Sequence, residues 1–316
     1  MARYISKTVL RLFFMAEAAS DLFDRLRPVV PADRAHFLAL YRRCGLLSCE
    51  YSFGNLLAWR EIYCACWCEF RGATLIYLQR SDDLLFPVGA ELEPGMLVAI
   101  SQAFRSCQSA GAFHQAPAGL VARHPELGEY FNPVRNADCA DYLHQVERLA
   151  ELKGGKLGKK RNLIRQFERA WPQVRKVALG PEHAADCLNL TSRWAEAPDR
   201  DLWRIEREDE AIAAAFAHFI AGGFAGIGLY ADHELLAFCL YSLMGETAVI
   251  HFEKAAPGIK GAAQAINQAT AEMLVGHCRY LNREQDLGHP GLRQAKRSYD
   301  PDLMLVPEDL LPRAGR

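Results

Sequence analysis

The most constraining feature of the sequence is a run of three predicted strands, a glycine-containing turn and a long helix. Ala225–Tyr230 and Leu235–Leu243 flank a short polar turn and predict a hairpin, and Thr247–Lys254 predicts a third strand. Residues 255–261 contain two glycines and predict a turn, and Ala262–Cys278 predicts a helix. This order of elements is typical of an α/β or α+β domain.

Length and charge limit the classes of protein that need considering. The chain has 316 residues, half of them hydrophobic, and a formal net charge of −1. That length is ample for a large core and favours two domains. A nearly neutral chain has no global field that attracts nucleic acid or a membrane, so any basic site must be local. No window approaches the roughly 18 apolar residues of a membrane span.

The cysteines predict buried thiols rather than a metal site. Cys64, Cys66 and Cys68 form a C-x-C-x-C run, whereas zinc sites use a C-x2-C pair and a second pair further on. Alternate residues of a strand share one face, so the run is suited to filling a core. The remaining seven cysteines are scattered, which indicates a reducing, cytoplasmic compartment.

The patterning predicts two lobes that follow one another along the chain. Residues 1–25 are predicted to be a disordered N-terminal extension, since their apolar patch is short and interrupted. Residues 26–140 predict a first lobe with a helix–strand–strand–helix order, and residues 141–316 predict a second lobe that carries the active cleft. The second lobe is predicted to open with a helix over Asp141–Glu151. No sequence repeat relates the two lobes.

The strongest local charge asymmetry lies at residues 151–176, with nine Lys or Arg against two Glu. Lys156, Lys159, Lys160 and Asn162 lie at or near the start of a predicted helix. Positive charge is unfavourable at a helix N-terminus, which favours an anionic partner such as tRNA phosphates. The alternative is a solvated linker between the lobes.

The turn before the long helix is a candidate anion site. A helix N-terminus offers unpaired N–H groups, Gly258 and Gly261 permit close approach of a ligand to the backbone, and Lys260 adds charge. The alternative is an ordinary turn.

Two polar residues interrupt the apolar strand that precedes this turn. His251 and Glu253 are two residues apart, so we expect them on one face of the strand, where either is a candidate base for an amine or hydroxyl nucleophile. Lys254 is expected on the opposite face, exposed. The alternative is that His251 is a hydrogen-bonded core residue.

The segment after the long helix concentrates further polar residues. Two carboxylates could hold an ammonium group or act as a base, and an arginine could bind a carboxylate or phosphate with two hydrogen bonds. The alternative is an internal ion-pair network that fixes the C-terminal loop. The candidates are Asn282, Glu284, Asp286, Arg293, Lys296 and Tyr299.

The order hairpin, strand, turn and helix resembles the Gcn-five-related N-acetyltransferase (GNAT) superfamily. Its members bind the pyrophosphate of the acyl donor at a turn of the form Gln/Arg-x-x-Gly-x-Gly/Ala. The turn here is Gly258-Ile-Lys-Gly261-Ala-Ala263, which matches in its second half and has glycine at the first position. That departure argues against assuming coenzyme A as the donor.

A longer resemblance rests on several segments. An uncharacterised bacterial family, grouped with the C-terminal domain of phosphatidylglycerol lysyltransferases, is resembled by Tyr51–Arg60, Asp141–Leu143, Lys156–Asn162, Val249–Ala255, Leu281–Gly288 and Gly291–Tyr299. The resemblance implies two acyl-CoA N-acyltransferase-like lobes in tandem, as in the Fem-type aminoacyl-tRNA-dependent transferases.

The expected function is therefore an acyl or aminoacyl transferase. The donor would be an aminoacyl-tRNA or an acyl-coenzyme A, with no further cofactor, and the acceptor a small molecule or a lipid headgroup. The alternatives are a coenzyme A-dependent N-acetyltransferase of a small amine and a non-catalytic module that binds tRNA or another anion.

Overall fold

The computed structural model describes residue 19 and residues 21–196 and 207–314. In chain order, the described helices are α1 (Leu22–Arg25), α2 (Arg34–Cys44), α3 (Phe53–Ala58), α4 (Arg60–Tyr63), α5 (Pro94–Ser106), α6 (Leu120–Arg123), α7 (Val146–Glu151), α8 (Gly158–Ala170), α9 (Ala184–Ala195), α10 (Glu208–Ala217), α11 (Phe219–Gly222), α12 (Ala262–Leu274) and α13 (Pro290–Arg297). The described strands are β1 (Arg27–Pro28), β2 (Ala65–Phe70), β3 (Ala73–Leu78), β4 (Asp83–Leu85), β5 (Val88–Gly89), β6 (Phe113–Ala116), β7 (Phe131–Arg135), β8 (Asp141–Gln145), β9 (Arg175–Leu179), β10 (Phe224–Ala231), β11 (Glu234–Met244), β12 (Thr247–Ala255), β13 (Tyr280–Asn282), β14 (Leu303–Leu305) and β15 (Glu308–Pro312).

The chain divides into two compact units, each with its own sheet. The first unit comprises residues 1–29, 60–137 and 306–316, and the second comprises residues 30–59 and 138–305. Each sheet is mixed and is accompanied by helices, which confirms the predicted α/β (α+β) class with two lobes.

The sheet of the first unit has the order β1-β2-β3-β4-β6-β15-β7, with β5 also paired to β3. β4 and β6 are parallel, and α5 connects them along the chain. A parallel pair requires such a crossover, because a short turn cannot return the chain to the same end of the sheet. The core beside this sheet is aromatic and aliphatic, with Phe104 and Phe113 fully buried.

The sheet of the second unit has the order β14-β8-β13-β12-β11-β10-β9. It also contains one parallel pair joined by a helical crossover: β12 and β13 are parallel, and α12 connects them. The other described pairs are antiparallel. The predicted strand–turn–helix therefore lies at the centre of this unit. α7, α8 and α12 cover one face of the sheet with a continuous apolar cluster.

The two units exchange strands. β15, the last described strand, lies between β6 and β7 in the first sheet, while β8, which directly follows β7 in sequence, lies between β13 and β14 in the second. Residues 30–59, which carry α2 and α3, also belong to the second unit. The units therefore differ from the contiguous segments 26–140 and 141–316 that the sequence patterning predicts.

One local prediction is wrong. Residues 141–145 of the predicted helix Asp141–Glu151 form strand β8, because pairing with β13 and β14 outweighs the local helical pattern. Most of the predicted extension 1–25 lies outside the described residues. Its described end is ordered, since Leu22–Arg25 is helical and Leu22 is buried in the first core.

The cysteines are free thiols, and Cys66 and Cys68 are buried in β2 as expected. Cys64 precedes that strand with a positive φ of 50° and is half-buried. Among the described helices, none combines the length and apolar character needed to cross a bilayer.

Candidate functional site

The second sheet carries a β-bulge at His251. β11 and β12 run antiparallel, yet Leu240 lies opposite Phe252 while Tyr241 lies opposite Ile250, so His251 has no partner residue. A bulge places one extra residue in a strand and turns the side chains beside it. The alternation expected from the sequence is therefore interrupted at this histidine.

The bulge places His251 and Glu253 on opposite faces of the sheet, so the expectation of a shared face is wrong. Glu253 accepts a hydrogen bond from Asn267 of α12 at 3.1 Å. His251 instead bonds Ser242, which is next to Tyr241; since Tyr241 packs in the cluster around α12, Ser242 points to the other face.

Lys254 also departs from the expectation that it is exposed. Its side chain is buried and donates to Glu208 of α10 at 2.7 Å. The ammonium lies 3.9 Å from the centre of the Trp194 ring, a cation–π contact. The partner that pairs its charge lies 46 residues away in sequence and no local pattern indicates it.

Three side chains form a hydrogen-bonded relay through His251. The imidazole Nδ1 lies 3.0 Å from Oε1 of Glu284, and Nε2 lies 2.8 Å from Oγ of Ser242. In the neutral imidazole with Nδ1 donating to the carboxylate of Glu284, Nε2 is the acceptor for the Ser242 hydroxyl. The His251 side chain is fully buried, whereas Glu284 is partly exposed.

The relay depends on a glycine of α3. A Cβ at Gly54 would lie 2.6 Å from Oγ of Ser242 and 2.7 Å from Nε2 of His251, closer than real contacts permit. The hydroxyl of Ser52 lies 3.3 Å from that of Ser242. Residues 52–54 and β11 therefore fit together only because residue 54 has no side chain.

Ser242 and Gly54 also line a cavity of about 410 Å³ within the second unit. Its walls come from α2, α3, residues 222–223, the start of β10, the end of β11 and the end of α12. This size is in the range of sites for small molecules. The relay thus runs from a partly exposed carboxylate to a hydroxyl at the wall of a cavity.

The opposite face of the sheet holds a second polar cluster, around Arg283. Its Nη2 donates to Oε1 of Glu253 at 2.9 Å, and its guanidinium lies 4.7 Å from the centre of the Tyr299 ring. Lys160 lies 4.1 Å from the centre of the same ring. Burial lowers the pKa of Lys160, and the neighbouring charge of Arg283 adds to the effect.

This cluster occupies the place where β12 and β13 separate. The two strands pair only over Thr247–Val249 and Tyr280–Asn282. Beyond the paired residues, the ion pair between Arg283 and Glu253 bridges the two strands, and Asn267 is a third partner. The gap between the parallel strands is therefore filled by the chain's own side chains.

The C-terminal candidates mainly hold their own loop. Arg293 binds Asp286 through two hydrogen bonds, of 2.7 and 2.9 Å, and also binds Asp138 at 2.6 Å. Burial would raise the pKa of Asp286, but the hydrogen bonds from Arg293 and Tyr142 hold it below its usual value. Glu284 has a positive φ of 55°, so the segment that carries Glu284 and Asp286 is not a regular extended strand.

Lys296 and Asn282 have similar structural partners. Lys296 is buried and donates to the backbone oxygens of Arg283 and Gln285, and burial lowers its pKa to about 8. Asn282 donates to the oxygen of Leu47 and accepts from the backbone N–H of Glu284. Lys296 is therefore not placed to bind a ligand in this arrangement.

A further buried carboxylate, Asp141, was not a candidate in the sequence. It lies on β8 and accepts from the backbone N–H of Cys49 at 3.2 Å. Burial raises its pKa to about 6. The sequence predicts a helix at Asp141 and therefore gives no indication that this carboxylate is buried on a strand.

The basic segment is divided between internal partners and an exposed face. Lys156 forms an ion pair with Asp300 at 3.0 Å, and Lys160 donates to Ser298 at 2.7 Å. Lys159 and Asn162 lie exposed on α8.

The two glycines of the turn also differ. Gly258 and Lys260 are exposed, and a side chain at Gly258 would meet nothing within 4 Å. At Gly261 a Cβ would overlap the backbone oxygen of Leu163 on α8. The close approach that Gly261 permits is therefore to the protein's own helix.

Sequence reasoning missed Ser242 and Gly54. Ser242 is a polar residue inside an otherwise apolar strand, which is a weak signal on its own. Gly54 lies in a segment that patterning assigned to the other lobe. Its contact with Ser242 and His251 follows only from the fold of residues 30–59 into the second unit.

The fold is that of two acyltransferase-like (GNAT) lobes in tandem, each a mixed sheet flanked by helices. Residues 41–305 match the family "Phosphatidylglycerol lysyltransferase, C-terminal", and the chain belongs to that family. This confirms the resemblance seen in the sequence.

Solved structures agree with this assignment. A conserved protein of unknown function from Bacteroides thetaiotaomicron is 27% identical, with a TM-score of 0.84 over 91% of this chain and 99% of that one. L-PGS from Bacillus licheniformis shares the fold at 13% identity and a TM-score of 0.59, covering 89% of this chain and 92% of that one. FemX does so at 8% identity and a TM-score of 0.60, covering 91% and 97%.

No curated protein matches the chain significantly. The family and the shared fold support a transferase of the aminoacyl-transferring kind.

Proposed function

We propose that the protein is an aminoacyltransferase that moves an aminoacyl or acyl group from an ester donor to an amine or hydroxyl acceptor. The observation that carries this proposal is the relay from Glu284 through His251 to Ser242 at the cavity wall. An amine or hydroxyl must lose a proton to attack a carbonyl carbon, and a buried imidazole oriented by a carboxylate can take it. Family membership supports the same class of reaction.

In the proposed reaction the acceptor's nucleophile hydrogen-bonds Ser242. Its proton passes to the serine oxygen as the serine proton passes to Nε2 of His251, and Glu284 stabilises the resulting imidazolium. The nucleophile forms a bond to the donor carbonyl carbon, the ester C–O bond breaks, and the leaving hydroxyl takes the proton back. Each proton and bond is accounted for without a further reagent.

A tRNA-borne donor is favoured by the exposed face of α8. Lys159, Asn162 and Arg165 lie exposed at helical spacing, and neither Lys159 nor Arg165 has a carboxylate partner among the described residues. Such a face can bind phosphates.

Coenzyme A is less favoured as the donor. The gap between β12 and β13 is filled by the Arg283–Glu253 pair, and the turn glycine Gly261 packs against α8. In addition, Gly258 stands where the acetyltransferase turn has Gln or Arg. We therefore expect acetyl-coenzyme A to give no thermal stabilisation of the protein.

The direct test is transfer from a total tRNA pool charged with radiolabelled amino acids. A small-molecule extract and phosphatidylglycerol vesicles are supplied as separate acceptors. We expect Ser242→Ala and His251→Gln to lower kcat by roughly 100-fold or more, and His251→Gln to change the pH profile of kcat. Thr270→Ala, which removes another buried hydroxyl of the same unit, is the control and should retain activity.

Two results would decide against the proposal. Folded protein that transfers to no acceptor would remove it, and tRNA binding without turnover would favour the non-catalytic module. The donor site is tested by Lys159→Gln with Arg165→Gln, which should weaken tRNA binding and reduce its salt dependence. Lys153→Gln, a nearby exposed lysine paired with Glu151, is the matched control.

A further inference from the structure

We propose that the cavity beside Ser242 binds a small acceptor that carries a carboxylate, with Arg34 holding that carboxylate and Ser242 meeting the acceptor's amine or hydroxyl. The proposal deepens the proposed function, on which it rests for the role of the bound molecule. A free amino acid with an apolar side chain has this chemistry: one carboxylate, one amine and one apolar group.

The charge of the cavity wall favours an anion. Arg34 lines the cavity, and no aspartate or glutamate is among the described residues that line it. The rest of the wall is largely apolar, with Leu38, Phe53 and Met273. Such a wall suits a molecule with one anionic group and an apolar body, and it disfavours a cation.

Arg34 is available for this role. It is half-buried, and it has no ion-pair partner among the described residues. Its guanidinium lies against the backbone of Gly223, whose φ is +73° and where a Cβ would overlap the guanidinium nitrogens. A glycine thus makes room for the arginine at the wall, and the planar donors of the guanidinium match a carboxylate.

The other end of the bound molecule is set by Ser242. Ser242 is buried and is one of the residues that line the cavity, and its hydroxyl is already oriented by His251 at 2.8 Å. An amine or hydroxyl that reaches this oxygen would complete a chain of hydrogen bonds to Glu284. The cavity therefore has a positive group and a proton-accepting relay, and a molecule with a carboxylate and a nucleophile satisfies both.

The volume restricts the molecule further. About 410 Å³ accommodates a free amino acid or a comparably small molecule. A lipid with two acyl chains would need far more buried space. The proposal is therefore committed to a soluble, small carboxylate.

The experiment is calorimetric titration of the full chain with L-leucine, L-phenylalanine, their amides and their N-acetyl derivatives. We expect saturable binding of a free amino acid, at least about tenfold weaker binding of its amide, and a similar loss for Arg34→Gln. Arg34→Lys should fall between the two, since it keeps the charge and loses the planar fork. Lys153→Gln, an exposed lysine that is not among the residues lining the cavity, is the control and should bind as wild type does.

The outcomes separate this inference from the proposed function. If binding depends on the carboxylate and on Arg34 but the protein transfers no aminoacyl group, the result would support the binding site and exclude the aminoacyltransferase function. Transfer activity unaffected by Arg34→Gln would overturn the site and leave the transferase. Equal binding of acid and amide, or no binding of any probe at millimolar concentration, would also overturn it.

Discussion

Acidification should weaken the second unit through His144, a buried histidine of β8. Its Nε2 has no hydrogen-bond partner among the described residues, and its ring packs against Tyr299. Burial lowers the pKa of His144 from 6.5 to about 3, and the charges of Arg283 and Arg148 act in the same direction. The unfolded chain therefore takes up a proton on this imidazole well before the folded chain does.

The sign and size of the effect follow from this difference. The stability associated with His144 is fully present above pH 6.5 and is lost as the pH falls towards 3. Each pH unit in that window costs about 1.4 kcal/mol, so the loss at about pH 5 is about 2 kcal/mol. The glutamine of His144→Gln does not titrate, so the free energy of unfolding of this variant should lack this dependence on pH.

The measurement is urea unfolding of wild type and His144→Gln, followed by tryptophan fluorescence, at about pH 7.5 and about pH 5. The difference in unfolding free energy between the two proteins should shift by about 2 kcal/mol in favour of the variant at the lower pH. His233→Gln, an exposed histidine of the hairpin turn, is the control and should follow wild type. Parallel curves for wild type and His144→Gln would refute the reasoning.

Three further predictions test other parts of the second unit. Gly261→Ala should destabilise the protein by at least about 2 kcal/mol more than Gly258→Ala, because both have a positive φ but only the first overlaps α8; equal melting temperatures would contradict this. Glu253→Gln should lower the unfolding free energy by about 3–5 kcal/mol, since it leaves the buried Arg283 unpaired; a change below about 1 kcal/mol in urea unfolding would favour a catalytic rather than structural glutamate. In wild type the free energy of unfolding should fall by about 3 kcal/mol as the pH rises from 3.8 through about 6, because the folded carboxyl of Asp141 keeps its proton to a higher pH than the unfolded one. Asp141→Asn should lack this fall. A variant with the same pH dependence as wild type would count against the raised pKa.

The sequence was most informative where structure is local. The hairpin, the strand Thr247–Lys254, its turn and the following helix all appear within a few residues of their predicted bounds. Apolar runs, turn residues and helix spacing are short-range signals, so they can be recognised without knowing which distant segment packs against them. The acyltransferase class followed from the order of these elements.

Long-range pairing explains what could not be predicted. The bulge at His251 exists only in the register of β11 against β12, and it moves His251 to the face opposite Glu253. The burial of Lys254 depends on Glu208 of α10. The strand β8 exists because β13 and β14 flank it. Periodicity along one segment contains none of this information.

The residues of the candidate site also divide into those that the sequence could indicate and those that it could not. Glu284 and His251 were named from residue type alone, but the serine that joins them to a cavity was not. Arg293, Lys296 and Asn282 were chosen because their chemistry suits ligands, and the structure gives them partners in the protein itself. A cluster of charged residues in sequence does not distinguish a binding site from a network that fixes a loop.

The exchange of strands also sets an order of events during synthesis. The first sheet has a place between β6 and β7 that only β15 can fill, and Asn136 and Asp309, which bond beside it, are 173 residues apart. At roughly 5–20 residues per second, the ribosome needs on the order of 10–35 s to supply the missing strand. Until then β6 and β7 lack the strand between them and present unpaired edges. β8 likewise lacks its neighbour β13 until that strand has been synthesised. The N-terminal lobe of this chain cannot complete its folding before the C-terminal lobe has been made.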